Sequence, residues 1–508
     1  MKNVNQITNI PILLIGCYLF LGLFILSVSD YFFWDAAILE VAILEKDFSG
    51  WRGIHTISGL EINYWYYVVI ASLSEYLNLQ PGLAFAILLM TWMVFLVNEL
   101  GKFCCNYLDV ERKNLNHLKA IIIILPIWSI LASQVHHFYI FTYSLLFLGF
   151  NLFHRKSVIQ KSIAIILIML SFSNASNHVM IIALFFIPLL KQLVLKENFL
   201  QSQALVNFCS ITILSLVFFL IYRDLFPASN VFDSYNKIEI ISLASYFHGI
   251  LVFGFWFVLS ISALICSAIA GLIFAEGGRI EFKASSKTLF PILSMAILLI
   301  ASAAPYILVN KHPGISDLYT WEARHAVLFF LMLAPMIIII NQAFCKSSKT
   351  TLAIFIAVTL AISSHHYFTK VYDKFYFFTL EQSLPALPPE PGFVFIETNL
   401  QFSNYLRYYD LGHVLYKKYG SIEWYSELAD DVPSWANESN TIDTALQNNQ
   451  FLESYSGRKL GFLVGEDLRC ITTISIQSNT KDFLSVLRWS LLGDFVAAES
   501  KITSEKCS

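Results

Sequence analysis

The chain has 508 residues, of which 56% are hydrophobic, 15% aromatic and only 14% charged, with a formal net charge of −3. Charged residues make up about 25% of an ordinary soluble domain, so this balance excludes that class and gives a polytopic α-helical membrane protein. A net charge so near zero, with no Lys/Arg-rich tract and no zinc-type cysteine spacing, gives no reason to look for nucleic acid.

Apolar stretches able to cross a hydrocarbon core of about 30 Å fall at 11–29, 82–101, 117–133, 137–153, 160–175, 178–190, 204–222, 246–275, 289–309, 325–344 and 350–367, giving about eleven transmembrane helices. Residues 1–29 read as an uncleaved anchor, because their apolar core of about nineteen residues exceeds the 7–15 usual for a signal peptide. The segment 62–78, rich in Tyr and Trp, reads as a helix in the membrane interface.

Loop charge sets the orientation. One side collects Lys2, Lys102, Arg112, Lys113, Lys119, Arg155, Lys156, Lys161, Lys191, Lys196, Arg279, Lys283, Lys287, Lys346 and Lys349; the other holds Lys46, Arg52, Arg223, Lys237, Lys311 and Arg324. Positive loops face the cytoplasm. The N-terminus is then inside, and the first loop (30–81) and the C-terminal tail are outside. Were 62–78 a span, the basic loops 154–160 and 277–288 would face outward.

The outer loop 30–81 carries Asp30 and Asp35, then an amphipathic helix from Trp34 to Asp47 lying on the membrane with Glu40 and Glu45 on its wet face. Trp51, Arg52, His55 and Glu61 follow. Of the remaining outer loops, those with Arg223, Lys237, Lys311 and His312 read as dispersed, solvated basic residues. His136, His137 and His178 lie in short outer loops, lining a site or contacting headgroups.

Residues 1–367 form the membrane domain and 368–508 a soluble one, introduced by a linker with Pro385, Pro388, Pro389 and Pro391. Strands are expected at 392–396, 460–464 and 471–476, with a helix over 400–409. That alternation predicts a C-terminal extracytoplasmic α/β domain of about 140 residues, large enough for its own core. Cys470 and Cys507 are its only cysteines. An extracytoplasmic domain can join them in one disulfide; a disordered tail is the alternative.

Several stretches together resemble a known family. Asp35, a helix ending Asp47-Phe-Ser-Gly-Trp51, then Gly59-Leu-Glu-Ile-Asn-Tyr-Trp65, a stretch ending Leu77-Asn78-Leu79, and a span closing Glu99-Leu-Gly-Lys102 look like the opening of the GT-C fold glycosyltransferases. The pattern is nearest to the protein O-mannosyltransferase and lipid A aminoarabinose transferase branch. Weaker similarity continues at Thr142-Tyr143-Ser144, Asn174 to His178 and Trp321-Glu-Ala-Arg-His325. The chain departs from the family at Asp35-Ala36, where members carry an Asp-Glu pair, and at Ile62-Asn63, where they carry Lys-Pro.

The resemblance implies a bacterial inner-membrane glycosyltransferase. It would move a sugar from a polyprenyl-phosphate donor to a lipid, glycan or protein acceptor on the periplasmic face. Such chemistry needs a carboxylate base near the acceptor hydroxyl and cations near the departing phosphate, at interface depth. By residue match Asp35 is the base and Glu61 the second acid, positioning the acceptor or sharing a divalent metal (Mg or Mn) with Asp35. Arg324 and His325 neutralise the phosphate. His55, His178 and Asp30 are further candidates for contact with substrate.

Each role has a plainer rival. Asp35 or Asp30 can cap a helix, Glu61 can be an exposed loop acid, Arg324 can snorkel from a span end, and His325 can pack. Rival functions are an O-antigen polymerase or ligase, whose large basic loop between late spans this chain lacks, and a transporter or flippase, whose duplicated halves it lacks. A structural partner in an envelope complex is a fourth reading.

Overall fold

The computed structural model describes residues 15–16, 19–24, 35–48, 51–52, 61–133, 137–174, 176–195, 203–227, 243–274, 286–314, 321–344, 348–403, 406, 408–421, 423–428, 470–479, 482–492 and 498–507. Asp30, His55, His136 and the strand expected at 460–464 lie outside them.

The stretch ahead of the first long apolar helix gives two helices, α1 (Asp35–Leu44) and α2 (Glu61–Tyr76). The bundle follows as α3 (Pro81–Tyr107), α4 (Leu115–Ile123), α5 (Ile127–Ser133), α6 (His137–Phe153), α7 (Val158–Ser171), α8 (Ser176–Leu195), α9 (Gln203–Leu225), α10 (Leu243–Phe274) and α11 (Ser286–Leu308). A 3-10 turn, Trp321–Ala326, leads into α12 (Val327–Phe344), and α13 (Ser348–Ser383) ends the bundle. Among the described residues seven helices are long and apolar enough to cross a membrane: α3, α8, α9, α10, α11, α12 with its 3-10 turn, and α13. At a rise of about 1.5 Å per residue, α6 and α7 are about 26 and 21 Å long, a little short of a full hydrocarbon core.

The span expected at 117–133 is broken rather than continuous. Pro126 cannot donate a main-chain hydrogen bond, and the helix stops at Ile123 and restarts at Ile127. The indole of Trp128 donates to the freed Ile122 carbonyl at 2.7 Å, and the Ser363 hydroxyl donates to that of Ile124. The break is therefore satisfied internally, as a low-dielectric setting requires.

Helix α2 has two unlike faces. Tyr64, Tyr67, Ile70, Ala71 and Ser74 are buried, while Trp65, Val69, Leu73 and Tyr76, three to four residues apart, are exposed. An apolar stripe turned outward on a 16-residue helix is what an interfacial helix presents to lipid.

Helices α6 and α7 pack closely because Gly149 has no side chain: a Cβ there would stand 2.8 Å from Ile168 and 3.1 Å from the Ala164 carbonyl. Helix α12 is the centre of the bundle, buried along nearly its whole length, and packs on α11, α4 and α10.

At the C-terminal end, β1 (Gly392–Thr398), α14 (Tyr408–Tyr419), β2 (Trp424–Leu428), β3 (Cys470–Gln477), α15 (Phe483–Leu492) and β4 (Glu499–Cys507) follow in order. The sheet order is β2-β1-β3-β4, parallel about β1 and antiparallel between β3 and β4. The strands expected at 392–396 and 471–476 are β1 and β3. The helix expected at 400–409 is displaced: Leu400–Ser403 is not helical and α14 begins at Tyr408. Cys470 is disulfide-bonded, and Cys507 is its opposite number in the antiparallel register.

The change in composition at 368 falls inside α13, which runs on unbroken to Ser383. Where it leaves its most apolar stretch, Lys370, Asp373 and Lys374 are buried. Lys370 Nζ is 3.4 Å from Asp373 Oδ2 and 2.9 Å from Ser403 Oγ, and the Ser403 amide donates to Asp373 Oδ1 at 2.7 Å. These contacts fasten the connection after β1 to the helix.

The sheet does not stand apart from the bundle. One apolar cluster joins Ile38, Leu39 and Ala42 of α1, Tyr67 of α2, Phe85 of α3, Phe138 of α6, Phe377 of α13 and Phe393, Phe395 and Ile474 of the sheet. Helix α1 is therefore covered rather than wet. Glu40, expected on an exposed face, is 6% exposed. Its carboxylate is 2.8 Å from His413 Nε2 and 3.2 Å from Lys417 Nζ, both on α14. The expectation for Glu40 is overturned because two basic residues far along the sequence, His413 and Lys417, meet it in the buried interface. Glu45 does remain exposed and accepts a hydrogen bond from the Tyr416 hydroxyl.

Candidate functional site

Three stretches that are far apart in sequence, 142–144, 174–178 and 321–325, meet in the bundle. The first supplies Thr142, Tyr143 and Ser144 from α6, all completely buried. The second is the turn between α7 and α8. Asn174 donates to Thr142 Oγ1 at 3.3 Å, and its Oδ1 accepts from the Ser176 hydroxyl at 2.7 Å and the Ser176 amide at 3.3 Å. A side-chain oxygen that caps the first turn of a helix is a common reason for Asn to stand there. The same turn is secured by Asn177, which donates to the Ser171 carbonyl at 2.8 Å.

The third stretch is the 3-10 turn ahead of α12. Arg324 and His325 are each 7% exposed. Arg324 Nε donates to His325 Nε2 at 3.2 Å, which leaves Nδ1 to carry the ring proton. The His325 ring stacks on Tyr306, at 5.2 Å between centroids, and reaches the main chain of Lys311. Tyr306 in the last turn of α11 lies beside Tyr143 and Ser176 and within electrostatic range of Arg324. The chain Tyr143–Tyr306–His325–Arg324 thus runs from α6 across α11 to the mouth of α12.

The Tyr143 hydroxyl is buried beside Tyr306, Ser176 and Asn174, yet has no hydrogen-bond partner of good geometry. A buried, unmatched hydroxyl costs free energy unless something else uses it. Beside Arg324 stands Lys311, half-buried in the short connection after α11. Burial and the Arg324 guanidinium together push its ammonium down to about 7. Two cations within electrostatic range of each other repel, and a setting of that kind is one that an anion would stabilise.

The other expected residues are placed as follows. Glu61 opens α2 and lies near the Tyr222 hydroxyl at the end of α9. Asp35 opens α1; its side chain is outside the described residues, so the Asp35–Glu61 metal pair has no geometry here. Among the described residues no three His, Cys, Asp or Glu side chains gather as a metal site. His178 stacks on Phe172 at 4.3 Å and bonds to Ser215 Oγ at 3.1 Å, joining α8 to α9. His137 is buried between the rings of Tyr67 and Phe85.

Sequence reasoning missed Tyr306 and read Lys311 as a solvated loop cation. Nothing in the apolar run of α11 distinguishes Tyr306 from the many belt aromatics. Lys311 carried one usable signal, its place in a short connection leading to Arg324.

The chain has no significant match to any family model, to any curated protein or to any solved structure.

Proposed function

We propose that the chain is a polytopic membrane glycosyltransferase that moves a sugar from a polyprenyl-phosphate donor to a lipid, glycan or protein acceptor at the outer face of a bacterial inner membrane. The observation that carries the reading is the pairing of Arg324 with Lys311 over buried Tyr306 and Tyr143. A lipid phosphate leaving a sugar develops charge at interface depth, where two preorganised cations stabilise it best. In this reading the acceptor oxygen attacks the anomeric carbon, the bond from that carbon to the phosphate oxygen breaks, and the phosphate departs on its lipid with the bond's electrons. The acceptor's proton passes to a carboxylate, the role assigned to Asp35, with Glu61 positioning the acceptor. One displacement of this kind inverts the anomeric centre.

The remaining parts fit the same assignment. Eleven spans result when α4 with α5, α6, α7 and the 11–29 segment are counted with the seven long helices. The disulfide at Cys470 supports an oxidising compartment for the sheet, and with it an outer location for α1, which the sheet covers.

The test compares lipid-linked sugar pools in cells with the wild-type chain, without it, and with Arg324→Gln or Asp35→Asn. Accumulation of the sugar-loaded donor on the outer face in all three altered strains is the expected result. Accumulation on the cytoplasmic face would replace this reading with a flippase. Normal pools with well-folded Arg324→Gln and Asp35→Asn would remove the catalytic assignment.

A further inference from the structure

The bundle also holds a groove that the proposed reaction does not use. It has a volume of about 680 Å³ and runs between α3 and α4, within the range that accepts a compact ligand. Met90, Val94, Val97 and Ile123 give it apolar walls, and Asn98 with Lys119 lies at one end. Val94 is 63% exposed, so the groove opens sideways from the bundle rather than into its core.

From Met90 to Asn98 the groove follows α3 for about 12 Å at the helical rise, close to the depth of one leaflet, half of about 30 Å. Its polar end is positively charged. Glu99, the neighbouring carboxylate, is already engaged: Lys102 meets it at 2.5 Å, Asn98 at 3.3 Å and Asn151 at 3.0 Å. Lys119 Nζ meets only the Asn98 side-chain oxygen among the described residues, at 3.5 Å. Lys119 and Arg112 both act electrostatically on Cys105 nearby, so a third cation shares the neighbourhood.

We propose that this groove holds a bilayer phospholipid with an anionic headgroup, its acyl chain along Met90, Val94 and Ile123 and its phosphate on Lys119. Apolar walls of leaflet length select a chain, and an under-compensated ammonium at their polar end selects a negative headgroup. The inference stands apart from the sugar-transfer reading. Asn151 closes the end of α6 opposite to His137, so the headgroup end opens on the face of the bundle away from α2. Its occupant is accordingly a resident lipid of the opposite leaflet.

Native mass spectrometry of the full chain in detergent tests this, with dioleoyl phosphatidylglycerol against dioleoyl phosphatidylcholine as probes. Wild type should retain phosphatidylglycerol preferentially, and Lys119→Gln should lower that preference about fivefold. Lys156→Gln, at an exposed site elsewhere, should leave it unchanged, and Val94→Trp should reduce retention of both lipids by filling the groove. Equal retention of the two lipids by wild type, an unaltered preference in Lys119→Gln, or undiminished retention in Val94→Trp would overturn the proposal. Displacement of phosphatidylglycerol by undecaprenyl phosphate at equal concentration would overturn it too, and would assign the groove to an isoprenoid lipid.

Discussion

Glu40 and His413 meet at 2.8 Å in a buried contact that joins the first-loop helix to the C-terminal sheet domain. With Lys417 at 3.2 Å, the carboxylate faces two basic groups on one side of α14. Burial by itself raises the Glu40 carboxyl, and the attraction of His413 and Lys417 outweighs it, so the group is held below the usual range.

This fixes the sign of an acid response. A carboxyl lowered on folding stabilises the fold fully above its unfolded value of about 4.3, and the contribution disappears as pH falls through the lower folded value. Protease sensitivity of the junction between α1 and α14 should rise in that acid window. Glu40→Gln should show the sensitivity already at neutral pH. Removing one partner of a buried pair costs roughly 3–5 kcal/mol, which thermal unfolding in detergent would register.

Lys311 gives a response near neutrality. Its ammonium is lowered to about 7, far below the ordinary lysine value of about 10.4. The unfolded chain therefore binds more protons between these values, and this group's contribution to stability rises with pH across that window. The charge available for an anion moves oppositely, and affinity for a lipid phosphate should fall as pH rises from 6 to 8.5. In Lys311→Arg the slope should flatten, because guanidinium keeps its charge. An unchanged slope in a titration of that variant would remove Lys311 from the site.

Tyr143→Phe separates function from folding. The hydroxyl has no hydrogen-bond partner of good geometry, and an unmatched buried polar group costs about 1–3 kcal/mol. The variant should melt no lower than wild type while binding lipid phosphate more weakly. A lower melting temperature would show that the hydroxyl supports the bundle.

Gly392→Ala should disrupt the sheet. A Cβ at this first residue of β1 would fall 2.0 Å from the Cys470 carbonyl oxygen, which no rotamer can relieve. Loss of the protease-resistant C-terminal fragment is the expected result. A fully resistant fragment would mean that β1 and β3 are farther apart than described.

Reduction tests the compartment as well as the fold. Opening the bridge at Cys470 should lower stability by about 2–4 kcal/mol. In intact cells Cys470 should react with a maleimide only after a reductant is added. Labelling without reductant would place the sheet in a reducing compartment.

Much of the bundle was legible because spans announce themselves as long apolar runs. The elements gathered around the C-terminal sheet were not. Glu40 reads as a wet residue because its partners, His413 and Lys417, come after every span. Helix α14 starts late because Asp373 accepts the Ser403 amide, holding the chain in a non-helical path that local propensity does not reveal. Strand β4 (Glu499–Cys507) is rich in Glu, Lys and Ser, as edge strands often are, so it lacks the apolar alternation by which β1 and β3 were found. At the candidate site, the segments holding Tyr143, Asn174 and Arg324 were visible, whereas Tyr306 was hidden among belt aromatics until packing set it against His325.

Helix α13 has 36 residues and so reaches about 54 Å, from within the bundle to the edge of the sheet. With Asp373 tied to Ser403 partway along it, the rod works as a strut instead of a tether. Its seat in the bundle is against α10 and α12, and α5 packs both on this rod and on the turn that carries Arg324, so the sheet and that turn are joined through one rigid helix and a single short neighbour.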